Sequence, residues 1–452
     1  MSGRPHVVIV GAGFGGLACA QALARGRVDV TLIDRRNHHL FQHLLYQVAV
    51  AGLGPAQVAV PIRSILRKQR NVRVLLAEVA HVDLEARRVS FDPDLRLAPL
   101  RYDYVVLAPG AALQYFGEER NARFAPALKS LDDALEIRRR ILLAFEAAER
   151  EADANVRAQL LSFLIVGGGP SGVELAAAVA QLAQSTLARD YHWARPEDAR
   201  VLVLERGPRL LPTFAPELAE YALRQLGELG VHVRTGTIVA KVEPWGVRLR
   251  SGERLRADNV FWAAGVTGSP LIAALTPDVE LDRHGRALVR GDCSLPGFAE
   301  AFVIGDAAHL FGALGTALPC VSAAAQQAGH FVGKVIAAEV ADLRLSARPA
   351  FAYVDKGSML TLGRGRAIAQ LERKRLVGRA AWWKWLSEHV LHSIAWGKRF
   401  RTLLAWAYAY ATYGRGARVI TGADTGSSTQ TASLLSEARF HKVEDTQARA
   451  AE

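Results

Sequence analysis

Cysteine is scarce in this chain: Cys19, Cys293 and Cys320 are the only three in 452 residues, far apart and in no CxxC spacing. That excludes a disulfide framework and a zinc site, and it fits a reducing compartment. Long apolar runs are missing as well. No window of about 18 residues is uniformly apolar and uncharged, so no transmembrane helix is expected. The opening residues, MSGRPHVVIV, run directly into a strand without the charged and apolar regions of a secretory signal. No Ser/His/Asp or Cys/His constellation suggests nucleophilic catalysis.

What is present is a chain long enough for two or three domains, half of it hydrophobic, as folded proteins are. The formal charge of +12 is concentrated. Between Lys356 and Ile420 stand 13 Lys and Arg against Glu372 and Glu388. Such a patch seeks a polyanion, either nucleic acid or an anionic membrane surface.

Two stretches carry the chemistry. His6 to Val10 reads as a buried strand, followed by the turn Gly11-Ala-Gly13-Phe-Gly15-Gly16 and a helix from Leu17 to Arg25. A second strand, Val28 to Ile33, ends at Asp34. Glycines there permit a tight turn and close approach of a pyrophosphate to the helix N-terminus, and the acid is placed for ribose hydroxyls. The pattern then recurs. Ser162 to Val166 is a strand, Gly167-Gly168-Gly169-Pro170-Ser171-Gly172 a loop, and Val173 to Gln184 a helix; an insert over residues 185–200 delays the next strand, Val201 to Leu204, and its acid, Glu205. Glu205 favours NADH because a carboxylate repels the 2′-phosphate of NADPH, whereas Arg206 pulls the other way. Two nucleotide sites in one chain imply two cofactors exchanging electrons. The strand Ala301 to Ile304 leads to Gly305-Asp306, where a carboxylate can accept from ribityl hydroxyls or cap a helix. Glu174 stands a turn past the second loop, suited either to favourable placement in a helix's first turn or to proton delivery. The apolar segment 318–338 holds two adjacent amides, Gln326 and Gln327; neighbours on a helix point about 100° apart, so at least one is expected to face an internal partner.

These residues resemble the two-dinucleotide-binding flavoproteins and, within them, the type II NADH dehydrogenases, the non-pumping NADH:quinone oxidoreductases. The resemblance spans about residues 7–420 and rests on HHLFQHLLYQVAVAGL, GGGPSGVELAAAVAQL, AAAQQAGHFV, FAYVDKGSMLTLGR and the basic aromatic segment 381–420. It departs at 108–110, APG where the family has a Thr, and at Cys320, where it has Gly. It implies an α/β fold of two Rossmann-like, glutathione-reductase-like domains plus a C-terminal amphipathic helical region facing the membrane. An FAD domain of residues 1–115 and 285–345 would use Gly11, Gly13, Phe14, Gly15, Gly16, Asp34, Arg35, Asn37, His38, Val79, Ala108, Gly110, Asp306, Ala325 and Gln326. An NADH domain of 116–284 would use the 167–172 loop, Glu174, Glu205, Ala264 and Gly265. Glu174 would relay protons, and Gln326 and Gln327 would donate hydrogen bonds to a membrane quinone, whose two carbonyls only accept. No metal is implied.

In the segment 381–420, Trp382, Trp385, Leu386, His389, Val390, Ser393 and Ile394 recur close to helical spacing among basic residues. A basic helix with Trp on its apolar face lies in the headgroup plane; a helix closing the core or a dimer interface is the alternative, and a homodimer stays open. The reading is a peripheral flavoenzyme on the cytoplasmic face of the membrane, with 346–420 facing the bilayer, 421–452 a disordered tail, and nucleic acid not a partner. Rivals are a sulfide:quinone oxidoreductase, which needs paired redox cysteines, and a non-catalytic NAD(H)-sensing flavoprotein of apoptosis-inducing-factor type.

Overall fold

The computed structural model describes residues 3–275, 279–312, 317–341, 348–372, 374–391 and 417–420. The chain divides into two compact units interleaved in sequence: residues 1–40, 59–114 and 266–356 form the first, and 41–58, 115–265 and 357–452 the second. The elements used below are, in order, β1 (His6–Val10), α1 (Phe14–Ala22), β2 (Asp29–Asp34), α2 (Leu45–Ala49), β3 (Val72–Leu76), β4 (Tyr104–Leu107), α3 (Leu131–Arg150), β5 (Ser162–Val166), α4 (Pro170–Gln181), β6 (Arg200–Leu204), α5 (Pro216–Glu228), β7 (Val231–Arg234), β8 (Asn259–Trp262), β9 (Ser294–Leu295), β10 (Phe298–Val303), α6 (Ser322–Val340), β11 (Ser358–Thr361), β12 (Ala367–Gln370), β13 (Arg375–Val377) and α7 (Gly378–Leu391).

The first unit is built on a six-stranded sheet in the order β9-β10-β4-β1-β2-β3, parallel except for β9. Val7, Val8 and Ile9 are wholly buried, which is why β1 is a continuous apolar run: a central parallel strand is covered on both faces. Register brings the strand ends level. Val10 aligns with Ile33 and with Leu107, and Val303 aligns with Leu107 in turn. The loops leaving the parallel strands therefore gather along one edge, where open α/β sheets hold their ligands.

The second unit repeats the plan with four parallel strands, β7-β6-β5-β8, in which Val166 aligns with Leu204 and Trp262. Its longest helix, α3, begins at a reciprocal cap: Ser130 Oγ accepts from the Asp133 backbone N–H at 3.1 Å and Asp133 Oδ2 accepts from the Ser130 N–H at 2.7 Å. Helix α4 starts with Pro170, continues through a π turn at Leu182–Thr186, and meets the insert there. Glu149 on α3 fastens that insert by accepting from the backbone N–H groups of His192, Trp193 and Ala194. A three-stranded antiparallel sheet, β11-β12-β13, completes this unit and carries α7.

Three differences from the sequence expectations have physical causes. The first helix starts at Phe14 rather than Leu17, because the glycine turn closes within three residues of β1. Residues 266–284, expected with the NADH segment, group with the first unit, since Val266–Gly268 pairs antiparallel with Ala111–Leu113. Residues 41–58 and 357 onward group with the second unit. Among the described residues no helix is long and apolar enough to cross a membrane. The C-terminal expectations for 392–416 and 421–452 lie outside the described residues.

Candidate functional site: two matched loops and a buried carboxyl

Gly11 donates its N–H to the Ile33 carbonyl at 2.7 Å, and Ala108 donates to Val10 at 2.8 Å. Gly167 and Ala263 make the same pair of bonds to Leu204 and Val166, at 2.8 Å each. Glycine is required at both loop openings. Gly11 and Gly167 have φ of +96° and +114°, and a Cβ would stand 2.2 Å from the Ala108 oxygen or 2.7 Å from the Ala263 oxygen. The acids match as well. Asp34 accepts from the backbone N–H of Ala12 at 2.6 Å and of Arg36 at 2.7 Å, and Glu205 accepts from those of Gly168 and Gly207, both at 2.6 Å. Each carboxylate braces its loop and keeps lone pairs for ribose hydroxyls.

Whether the first loop suits FAD is tested by what its polar atoms lack. Helix α1 is capped by Gly13 without any side-chain bond, and nothing lies within 4 Å of where a Gly13 side chain would be. No side chain therefore occupies the position beside Gly13 at the helix N-terminus, which suits the approach of a pyrophosphate. His39 bonds the Ala12 carbonyl through Nδ1 at 2.9 Å and packs edge-on against Phe14. Burial lowers its pKa, so the ring is neutral and Nε2 is an acceptor. That Nε2, and Nε2 of His38, are buried without a hydrogen-bond partner among the described residues. Two orphaned ring nitrogens near the loop fit a ligand rich in hydroxyls, which both donate and accept. The residues fit FAD.

Other expected FAD residues divide. Asn37 Oδ1 takes the His38 Nδ1 hydrogen at 3.0 Å, and Ala108 and Gly110 follow β4. Helix α6 closes on the loop because Gly329 has no side chain: a Cβ there would lie 2.0 Å from the Gly15 oxygen. Ala325, one turn earlier, approaches both Gly15 and Gly305, bringing the Gly305-Asp306 turn to the same place. Arg35, in contrast, is exposed and paired with Glu78 at 3.4 Å, and Val79 begins a strand packed on the core of the first unit.

In the second unit, α4 is likewise capped by Gly169 with no side-chain bond and has open space at that glycine. Ser171 is exposed, and Ala264 and Gly265 follow β8. Arg209 is not free for a phosphate: its guanidinium donates to the carbonyls of Leu211, Pro212 and Phe214. Arg206 lies against the Phe116 ring.

The two glutamines differ in their surroundings. Gln327 is held by one backbone residue, donating to the Val354 carbonyl at 2.9 Å and accepting from its N–H at 3.0 Å. Gln326 is exposed. The internal partner of Gln327 is therefore the chain itself, and these two bonds use one of the two N–H groups of its amide.

Glu174 points into the protein from α4. It keeps some solvent contact, yet it is densely surrounded, and burial pushes its pKa up to about 8 against the lowering effect of bonds from Thr361. The Thr361 N–H donates to Oε1 at 3.1 Å. Neither Thr361 nor its neighbour Tyr46 was picked out from sequence, and nor was His39, although alternation along the strand His38–Leu40 would have set His39 inward. The cysteines offer no redox pair. Burial raises Cys19 and Cys293 to about 12, and Cys320 is exposed beside Arg286 at 3.5 Å.

Two braced glycine loops, each at the edge of its own parallel sheet, define a protein that holds two dinucleotides. The model of the pyridine nucleotide-disulphide oxidoreductase family matches residues 5–328. The type II NADH:quinone oxidoreductase Ndh of Mycobacterium tuberculosis is 40% identical over 445 residues, covering 96% of this chain and 95% of the relative. One from Staphylococcus aureus is 29% identical, covering 84% and 92%. A solved structure of NDH2 from Plasmodium falciparum in complex with NADH superimposes with TM-score 0.83 at 20% identity, covering 92% of this chain and 99% of that one. The chain belongs to the type II NADH:quinone oxidoreductases, within the pyridine nucleotide-disulphide oxidoreductase family.

Proposed function

We propose that the chain is a peripheral membrane flavoenzyme that oxidises NADH and reduces a membrane quinone without pumping protons, attached at the cytoplasmic face where NADH is supplied. The matched pair of loops carries the reading, because one dinucleotide site alone would not require a second braced turn of the same construction. FAD, when bound, supplies hydride acceptance and two-electron donation. The chain binds, orients and protonates. Asp34, the α1 N-terminus and the orphaned His38 and His39 ring nitrogens hold FAD; the α4 N-terminus and Glu205 hold NADH. Glu174, protonated at neutral pH, delivers a proton toward quinone reduction. Gln326, and the second N–H of Gln327, donate to the quinone carbonyls. The positive charge of 356–420 and the exposed Trp383 support contact with an anionic bilayer.

A visible spectrum of the purified protein tests this. Flavin bands should bleach on adding NADH and return on adding a soluble quinone under anaerobic conditions. Protein without flavin, or flavin that bleaches and is not reoxidised by quinone, would overturn the reading.

A further inference from the structure

Tyr46 is almost wholly buried on α2, within the second unit, and its hydroxyl lies 2.6 Å from Thr361 Oγ1. Thr361, also buried, closes β11 and bonds Glu174 twice, through its backbone N–H and its hydroxyl. A threonine hydroxyl carries one hydrogen. With that hydrogen given to the Glu174 carboxylate, the Thr361 oxygen is an acceptor, and at 2.6 Å the Tyr46 hydroxyl donates to it. Three groups from three elements, α4, β11 and α2, thus form an unbroken line of hydrogen bonds.

Among the described residues, the elements packed against α4 bring no other charged side chain to Glu174, although half-buried Tyr221 lies on α5; at the Tyr46 end, α2 packs on α3, where Arg138 is buried, and follows His43. β5, β11, α2 and the π turn carry no charged residue, and α4 has only Glu174 itself. On the remaining elements packed against α4, Arg200, Glu217, Glu220, Arg224, Glu228 and His232 are exposed, and Arg234 is paired with Glu253 at 2.7 Å. Only burial and Thr361 set the state of the carboxyl.

We propose that Thr361 and Tyr46 are positioning residues for proton delivery: they form with Glu174 a hydroxyl chain that holds the carboxyl and sets its proton affinity. This rests on the reading of Glu174 as proton donor.

The test uses the flavin-loaded enzyme and two readouts. An infrared pH titration of the resting enzyme follows the carboxylic-acid band that is absent in Glu174→Gln. Stopped-flow mixing of NADH-reduced enzyme with a water-soluble short-chain quinone gives the pH profile of that half-reaction. A bond to the charged form lowers a carboxyl's pKa, so removing it raises the pKa. Thr361→Val and Tyr46→Phe should each move the titration up by roughly half to one pH unit, in the spectrum and in the kinetic profile alike, the size expected of one lost neutral hydrogen bond. Thr361→Ser should restore the original midpoint, showing that the hydroxyl and not the fold was removed. A Glu174 band unmoved by both Thr361→Val and Tyr46→Phe would overturn the chain while leaving Glu174 as donor. A quinone half-reaction unchanged in Glu174→Gln would instead overturn the donor reading, and the chain's role with it.

Discussion

Glu205 braces its loop through Gly168 and Gly207, and on the proposed reading its charge also discriminates against a phosphate. With Arg209 occupied by carbonyls, only Arg206 is available to favour NADPH. The wild type should prefer NADH, and Glu205→Ala should lower kcat/KM for NADH and narrow the NADH/NADPH ratio; a wild type equally active with both would refute this. Glu174 makes a separate claim on stability. Its pKa rises from 4.5 unfolded to about 8 folded, so the folded state binds the proton more tightly. Its contribution is complete below about pH 4.5 and is lost as pH rises through 8, with Glu174→Gln flattening that trend by an amount on the order of a few kcal/mol in denaturant titrations at pH 5 and pH 9. The glutamines are expected to part company. Gln327→Leu removes two bonds to Val354 and should cost about 1–3 kcal/mol of stability, measured by denaturant melts, whereas Gln326→Leu should raise the quinone KM with little change in stability. Both loops and their acids were legible in the sequence, because turn glycines and a strand-terminal acid repeat at fixed places. Tyr46 and Thr361 were not: a hydroxyl's partner is set by which strand packs on which helix, and these two lie 315 positions apart.

At the scale of elements, α7 departs most from its sequence pattern. The periodic aromatic face was expected to meet the bilayer, yet Ala381 and Trp385 are buried and Trp382 packs against β12 and β13, while Trp383 faces out. Lys384 pairs with Glu388 along the outer side. A hydrophobic stripe is the same signal whether it is covered by lipid or by a small sheet, so periodicity alone does not choose between them. The consequence is practical. Removing residues 381–452 would strip a core contact from Ala367 and Ala369 and lower the melting temperature. Removing 392–452 should leave folding and flavin content intact and release the protein from anionic vesicles in a flotation assay. Vesicle binding that survives the shorter deletion would assign attachment to other residues.

The whole molecule is two units whose segments alternate along the chain, changing over at 40/41, 58/59, 114/115, 265/266 and 356/357. The sequence places domain limits at 115/116, 284/285, 345/346 and 420/421, because a three-residue strand such as Val266–Gly268 carries too short a pattern to reveal which sheet its partner belongs to. The alternation bears on how the protein is made. A ribosome delivers residues in order, at about 5–20 per second, and domains generally fold as units. Here the first unit lacks β9 and β10 until about two thirds of the chain has been made and α6 until residue 340, and the second lacks Thr361 until later still. β1 gains both its neighbours by residue 107, but β4 then keeps an unpaired edge until β10 is made, and a chaperone has long access to that edge.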